Sequence, residues 1–331
     1  MSAPAFWWRP AGWQAAALLP LASIYAAVAA SRLRNAPREN VGLPVLCVGN
    51  FTVGGSGKTP VTIALAGAAK AMGLKPGILS RGYGGSVKTP RIVEPGRDTA
   101  RDVGDEPLLL AEAAPVAVSA DRAAGAGLLA ARGCDLVIMD DGFQSAHIHM
   151  DFALIVTDAR YGIGNGRVLP AGPLRAPVAD QMRFASALLV MGEGNAADDL
   201  VATAHRLPLY RARVRPREKL DGRRFLAFAG IGHPEKFFDT VKAAGGEVVE
   251  TRSFPDHHVF TQAELRQLAE TAKARDLEIV TTAKDAVRIG RETFAALLPG
   301  SAFILDIEAV FDEPETPRLI IEATLSAARN R

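Results

Sequence analysis

Residues 44–60, PVLCVGNFTVGGSGKTP, decide the fold of this 331-residue chain. A short apolar run ends in a glycine-rich turn that closes on Gly57, Lys58 and Thr59 and leads into a helix-compatible stretch. G-K-[ST] after a buried strand and before a helix is the spacing of a phosphate-binding loop. Its glycines let backbone N–H groups approach a polyphosphate, and the following helix N-terminus adds its dipole. Lys58 then reaches the β- and γ-phosphates and Thr59 holds Mg²⁺. The loop therefore reads as nucleotide-binding over Thr52, Val53, Gly54, Gly55, Ser56, Gly57, Lys58 and Thr59. The strict spacing wants glycine five residues before Gly57, where this chain has Thr52; Gly54 and Gly55 compensate.

Outward from the loop, short runs rich in Val, Ile and Leu recur at 44–51, 76–80, 115–119, 134–141, 152–157 and 185–191. Amphipathic stretches such as 59–72, 105–114 and 121–132 follow several of them. Fully apolar strands alternating with helices predict an α/β fold, a P-loop-type parallel sheet covered on both faces. One of these runs, CDLVIMDD (134–141), ends in Asp140 and Asp141, the form of a Walker B strand whose carboxylate reads Mg²⁺ through the metal's water shell. Which of the two acids faces the metal is open from sequence.

The expected organisation is a membrane-associated lead-in at 1–40, a P-loop core at 41–205, a connecting ribbon at 206–224 and a smaller α/β lobe at 225–331. In the ribbon, Arg211, Arg213, Arg215 and Arg217 alternate and so share one face of a strand. They read as the solvated face of an edge strand, with a lipid-phosphate contact as the alternative.

Composition narrows the function classes. With 38 Lys+Arg against 36 Asp+Glu and 48% hydrophobic residues, the chain is neither disordered nor fibrous, and it lacks the basic excess of a bulk nucleic-acid binder. Cys47 and Cys134 lie inside apolar runs and read as packing residues in a reducing compartment. Between Arg9 and Arg32 no residue is charged. That stretch is long enough to span a bilayer, with Trp7, Trp8 and Trp13 at its start and Arg32, Arg34 and Arg38 beyond its end. Pro20 is expected to break it in the middle, so lying in the interface competes with crossing. The positive-inside bias puts the rest of the chain in the cytoplasm.

Phosphoryl transfer to an alcohol needs a base for the hydroxyl and cations for the phosphoryl oxygens. Three islands offer such groups: LSRGYGG (79–85), DVGDEPLLL (102–110) and SFPDHHVF (253–260). Asp105 and Glu106 in the second, and the adjacent His257 and His258 in the third, have helix capping and structural hydrogen bonding as their alternatives.

Taken in order behind the hydrophobic N-terminal stretch, GNFTVGGSGKTP, LSRGYGG, GDEPLLL, SADR, MDDGFQ, LPAGPLR and FPDHHVF resemble the tetraacyldisaccharide 4'-kinase family of lipid A biosynthesis. The resemblance runs from about residue 10 to 290 and includes a threonine at position 52. It implies transfer of the ATP γ-phosphate, with Mg²⁺, to the 4'-hydroxyl of a tetraacylated glucosamine disaccharide 1-phosphate. It further implies a two-lobed P-loop fold at the cytoplasmic face of a bacterial inner membrane. Carried over residue by residue, Asp105 matches the catalytic base, His257 its partner and Lys58 the loop cation. Thr59, Glu106, Asp140 and Asp141 are the metal candidates. Asn50, Arg81, Tyr83, Arg122, Gln144 and Arg175 fall in matching motifs as candidates for holding the sugar or its phosphates. TTAKD (281–285) is read either as an adenine-binding element or as a capping turn. The expected partners are the acylated disaccharide and a membrane surface, with no nucleic acid and a monomeric chain. The competing readings are a membrane-associated P-loop switch and a soluble kinase for a small polar alcohol.

Overall fold

The computed structural model describes residues 3–145, 147–297 and 302–331. In chain order, α1 (Trp13–Asn35) precedes β1 (Val45–Gly49), α2 (Lys58–Ala71), β2 (Pro76–Ser80), β3 (Arg91–Ile92), α3 (Ala100–Val103), α4 (Asp105–Leu110) and β4 (Val116–Val118). Next come α5 (Arg122–Ala131), β5 (Leu136–Asp140), β6 (Phe152–Asp158), α6 (Val178–Met182), β7 (Ala187–Met191), α7 (Asp198–Thr203) and β8 (Leu209–Pro216). The remainder is β9 (Arg224–Ala229), α8 (Pro234–Ala243), β10 (Glu247–Ser253), α9 (Gln262–Ala274), β11 (Glu278–Thr282) and α10 (Ala283–Ile289), then α11 (Arg291–Leu297), β12 (Ala302–Leu305), β13 (Ile307–Phe311) and α12 (Thr316–Arg329).

The apolar runs form the middle of a nine-stranded sheet of order β13-β8-β7-β6-β1-β5-β2-β4-β3. Its strands pair in parallel from β8 to β4, and only the two edges are antiparallel. Alternate residues feed two cores, as a strand covered on both faces requires. Leu46, Val48, Ile78 and Ile138 pack with Val61 and Leu65 of α2 and with Ile320 and Ile321 of α12. Val45, Cys47, Val137 and Met139 pack on the other side with Ala126 and Leu129 of α5 and with Leu200 of α7. Each such aliphatic side chain contributes roughly 1.5–3 kcal/mol by leaving water. Both cysteines are buried free thiols in this second core.

The smaller lobe is a four-stranded parallel sheet, β10-β9-β11-β12. Phe225, Phe237 and Val241 fill one of its faces, and Phe228, Leu265 and Leu268 the other.

Two expectations change here. The lobe expected at 225–331 ends before β13, because β13 pairs with β8 and α12 packs on α2. The smaller lobe is thus an insertion between β8 and β13, two strands of the larger sheet. For the same reason β8 is not an edge strand. Its arginines lie across from acids of the returning chain, Arg215 Nε 3.0 Å from Glu308 and Arg213 Nη1 3.4 Å from Asp312.

Helix α1 runs unbroken through Pro20 for 23 residues, about 35 Å at 1.5 Å per residue. Proline removes one i→i−4 hydrogen bond, and here that loss does not end the helix. Its C-terminal end is fastened by Arg34 to Asp180 at 3.2 Å, and just beyond it Arg38 lies over the Phe184 ring. On the N-terminal side, Trp7 is buried and donates from Nε1 to the Pro170 carbonyl at 3.0 Å.

Candidate active site

The phosphate loop leaves the carboxyl end of β1 at the centre of the large sheet, where open α/β sheets place their ligands. Gly57 enters α2 with φ +86°, and a Cβ there would stand 3.3 Å from Met191 Cε. Glycine is therefore required by conformation as well as by space. Thr52 occurs where the strict motif has glycine because its backbone forms an antiparallel bridge to Leu174 and keeps a negative φ. The motif LPAGPLR runs beside the loop, with Val53 N donating to the Pro173 carbonyl and Arg175 N to the Phe51 carbonyl, each at 2.9 Å.

The Arg175 side chain braces the same turn. Nε donates to the Thr52 carbonyl (3.0 Å), Nη1 to Gln144 Oε1 (3.2 Å) and Nη2 to Asp141 Oδ2 (3.0 Å). Gln144 in turn donates to the Asn50 carbonyl at 2.7 Å. Arg175 and Gln144 line the cleft, but much of their hydrogen-bonding capacity is spent on the loop. Asn50 and Arg122, expected among the sugar-binding groups, do not line it. Asn50 is 1% exposed and reaches back to the Gly54 carbonyl. Arg122 is 2% exposed beneath the strand ends, where burial lowers its pKa against the raising effect of Cys47, Asp140 and Asp141. Both residues support the site from below.

Strand register sets Asp140 beside Val48, so the paired acids at the end of β5 emerge next to the loop. Asp140 accepts from Thr62 Oγ1 at 3.0 Å, and burial followed by the Glu106 charge pushes its carboxyl up to about 7. Asp141 has the opposite fate. Burial resists its ionisation, yet Lys58 (Nζ 3.7 Å from Oδ1) and Arg175 outweigh that and hold it at about 2. Thr59, Glu106, Asp140 and Asp141 all line the cleft, and Asp141 Oδ1 is buried with no hydrogen-bond donor. This hard-oxygen set fits Mg²⁺, which takes one or two carboxylates plus phosphate oxygens. Accordingly, among the described residues no three His, Cys, Asp or Glu side chains form a metal cage of their own.

The smaller lobe closes over the GDE turn, where Gly104 adopts φ +91° and a Cβ would meet the Tyr83 carbonyl at 2.6 Å. That contact packs the LSRGYGG and GDE turns together. Asp105 is 3% exposed and lies behind the cleft wall rather than on it. Arg288 Nε donates to its Oδ2 at 2.8 Å, and His257 Nδ1 stands 3.5 Å from the same oxygen. Burial disfavours the Asp105 charge, but the contacts to His257, Arg288 and Lys284 prevail and keep the carboxyl well below its usual range. Its contact with Asp105 raises His257 above the ordinary imidazole value, against a smaller opposing effect of burial. His257 lines the cleft and holds φ +58°, with the exposed Tyr83 ring 5.6 Å away.

Lys284 pairs with Glu106 across the lobes, and its charge holds Glu106 low. Thr282 and Asp285 of the TTAKD motif form the capping turn of α10, Asp285 N donating to Thr282 Oγ1 at 3.1 Å. Nothing in the sequence marks Arg288. A second cluster that sequence reasoning missed flanks the loop, where Tyr161 stacks on His233 at 4.2 Å and Trp8 packs edgewise on both.

The phosphate loop, Glu106, Asp140, Asp141, His257 and Lys284 open on one cleft of about 1950 Å³ that extends from Lys58 past Arg81, Tyr83 and His257 to Tyr25, Val28 and Arg32 of α1. A phosphate loop, a Walker B acid and a lobe that adds a histidine over them define a P-loop nucleotide-dependent enzyme. The family model for tetraacyldisaccharide-1-P 4'-kinase (LpxK) matches residues 14–325, and the chain belongs to that family. It is 58% identical to the tetraacyldisaccharide 4'-kinase of Mesorhizobium japonicum, with 99% of this chain and 98% of that one aligned. The kinase of the same name from Brucella canis is 51% identical over 99% of this chain and 98% of its own length. Among solved structures, LpxK from Aquifex aeolicus in complex with ATP superposes with a TM-score of 0.71 at 26% identity, covering 94% of this chain and 99% of that one.

Proposed function

We propose that this chain transfers the γ-phosphate of ATP to the 4'-hydroxyl of a tetraacyldisaccharide 1-phosphate, the lipid A precursor named by its family. The observation that carries this reading is the opening of the phosphate loop and the His257 ring, backed by Asp105, onto one cleft that continues to an apolar helix. A switch has no use for a proton-accepting pair over its nucleotide, and a small polar alcohol has no use for the apolar end of the cleft.

The backbone of Thr52–Thr59 cradles the ATP phosphates and Lys58 neutralises them. Mg²⁺ would be held by Thr59 with Asp140, Asp141 or Glu106, and when bound it supplies charge neutralisation at the β- and γ-oxygens. Asp105 and His257 deprotonate the acceptor as a pair. The geometry favours the ring as the group facing the hydroxyl, because His257 lines the cleft with Nδ1 turned to an ionised Asp105 that stabilises the imidazolium and Nε2 3.9 Å from Asp256 Oδ2. Arg81 and Tyr83, on the same wall, are the sugar- or phosphate-facing groups. The acceptor oxygen attacks Pγ, its proton passes to the pair, the bond from Pγ to the β-γ bridging oxygen breaks, and ADP leaves.

Helix α1 supports a place at the membrane. It is the helix among the described residues long and apolar enough to cross one, and Trp13 is 78% exposed with Leu21, Ile24 and Val28 also turned to solvent. We place the lobes at the cytoplasmic face of the inner membrane, working as a monomer. The test is incubation with γ-labelled ATP, Mg²⁺ and tetraacyldisaccharide 1-phosphate in detergent. Label on the lipid that is lost in Lys58→Ala supports the kinase; ATP hydrolysis with unlabelled lipid refutes it.

A further inference from the structure

We propose that Lys284 is a second cationic ligand of the transferred phosphoryl group, delivered to it by the smaller lobe. The inference rests on the kinase reading above and adds a residue to its chemistry.

Lys284 and Lys58 come from different lobes and line the same cleft as Glu106, the carboxylate that Lys284 pairs with. In the described state the Lys284 ammonium is engaged by Glu106, its partner across the lobe boundary. Lys58 is drawn to Asp141. A phosphoryl group seated at the tip of the loop offers both ammoniums a denser charge than the carboxylates they now face. Of the other cations lining the cleft, Arg175 is committed to the loop and Lys236 to Asp158, and Arg81 is the group assigned above to the sugar or its phosphates.

The mount of Lys284 is rigid. Asp285, the next residue, is fully buried; it accepts from Thr282 Oγ1 at 2.7 Å, from Gly230 N at 3.1 Å and from Arg288 Nη1 at 2.9 Å. The aspartate of TTAKD is thereby used up inside the lobe, and the lysine is left as the motif's outward group. With the backbone held in this way, the only rearrangement Lys284 needs is to exchange the Glu106 carboxylate for a phosphoryl oxygen. Because the two lysines belong to different lobes, full charge neutralisation depends on the lobes being together. The step itself is unchanged: the acceptor oxygen bonds Pγ, the bridging P–O bond breaks, the hydroxyl proton goes to the Asp105–His257 pair, and Lys284 holds a non-bridging oxygen throughout.

The experiment uses the full chain as Lys284→Met, Lys284→Arg, Glu106→Gln and the Glu106→Gln/Lys284→Met pair, which removes both half-buried charges together. ATP binding is measured directly, and lipid phosphorylation is followed with ATP and with ATPγS. The expected result for Lys284→Met is a kcat lower by about 10²–10³-fold with ATP affinity within about threefold of the parent. The rate penalty for sulfur on the γ-phosphate should shrink, and Lys284→Arg should recover part of the loss. The same fold-loss should appear when the lysine is removed in the Glu106→Gln background. A kcat within about threefold of the parent overturns the inference, as does a loss that vanishes in the Glu106→Gln background, since Lys284 would then only position Glu106. A parent chain that puts no label on the lipid overturns the kinase reading itself, and this inference with it.

Discussion

Arg288, on the smaller lobe, donates from both Nε, at 2.8 Å, and Nη2 to one oxygen of Asp105 on the larger lobe. Both side chains are at least nine-tenths buried and lie 183 positions apart in sequence. The contact does two things at once: it joins the lobes at the site and keeps Asp105 ionised behind His257. Replacing Arg288 with Met leaves a buried carboxylate without its cation, a change that costs about 3–5 kcal/mol. The expected outcome is a lower urea midpoint and a large fall in kcat with little change in ATP affinity. Unchanged stability would mean that the ion pair does not persist in solution.

The His257 pKa lies above the usual 6.5 because of its contact with Asp105. A raised value means that the ring keeps its proton to higher pH, and only the neutral ring accepts one from the acceptor. Activity is therefore expected to climb with pH through an inflection above 6.5. In Asp105→Asn the inflection should move down toward the free-imidazole value while kcat falls, as read from kcat/KM profiles. An inflection that stays in place in the variant removes His257 as its source.

Gly57→Ala forces a Cβ onto a left-handed residue 3.3 Å from Met191 Cε. The conformational term alone is about 1–2 kcal/mol. ATP affinity should fall by about tenfold or more, while the melting temperature of the ligand-free chain changes little, because the loop carries little of either core. Calorimetric titration with ATP reads this directly.

Helix α1 is best tested without deleting it, because the segment before it is structural: Trp7 is buried and bonded to Pro170. Changing the exposed Leu21, Ile24 and Val28 to Ser spares that anchor. Each aliphatic side chain contributes about 1.5 kcal/mol or more when buried, so KM for micellar lipid should rise about tenfold or more while KM for ATP stays put. Equal KM values for lipid would show that this face does not meet the acyl phase.

What the sequence made legible follows from how local each constraint is. A polyphosphate needs contiguous N–H donors, so Gly54, Gly57, Lys58 and Thr59 sit together and announce themselves, and strands buried on both faces leave unbroken apolar runs. The return of β13 to β8 has no such mark, because either sheet could accept a strand with that pattern. Arg288 is silent for a related reason, since its partner Asp105 lies in the other lobe, and TTAKD displays Lys284 without telling that it faces Glu106 across the lobes. Arg122 and Asn50 sit in the right motifs, but a motif does not tell whether a side chain lines the cleft or supports it from beneath. Pro20 misled because its local cost was weighed without the long apolar helix around it.

The central claim is that the γ-phosphate reaches a lipid hydroxyl through the Asp105–His257 pair. It is tested most directly by counting 4'-phosphorylated lipid formed per ATP consumed, in the parent chain and in Asp105→Ala. The account expects one product per ATP in the parent and loss of product in the variant, with ATP still bound. ATP consumed without phosphorylated lipid, or a variant that turns over like its parent, would contradict it.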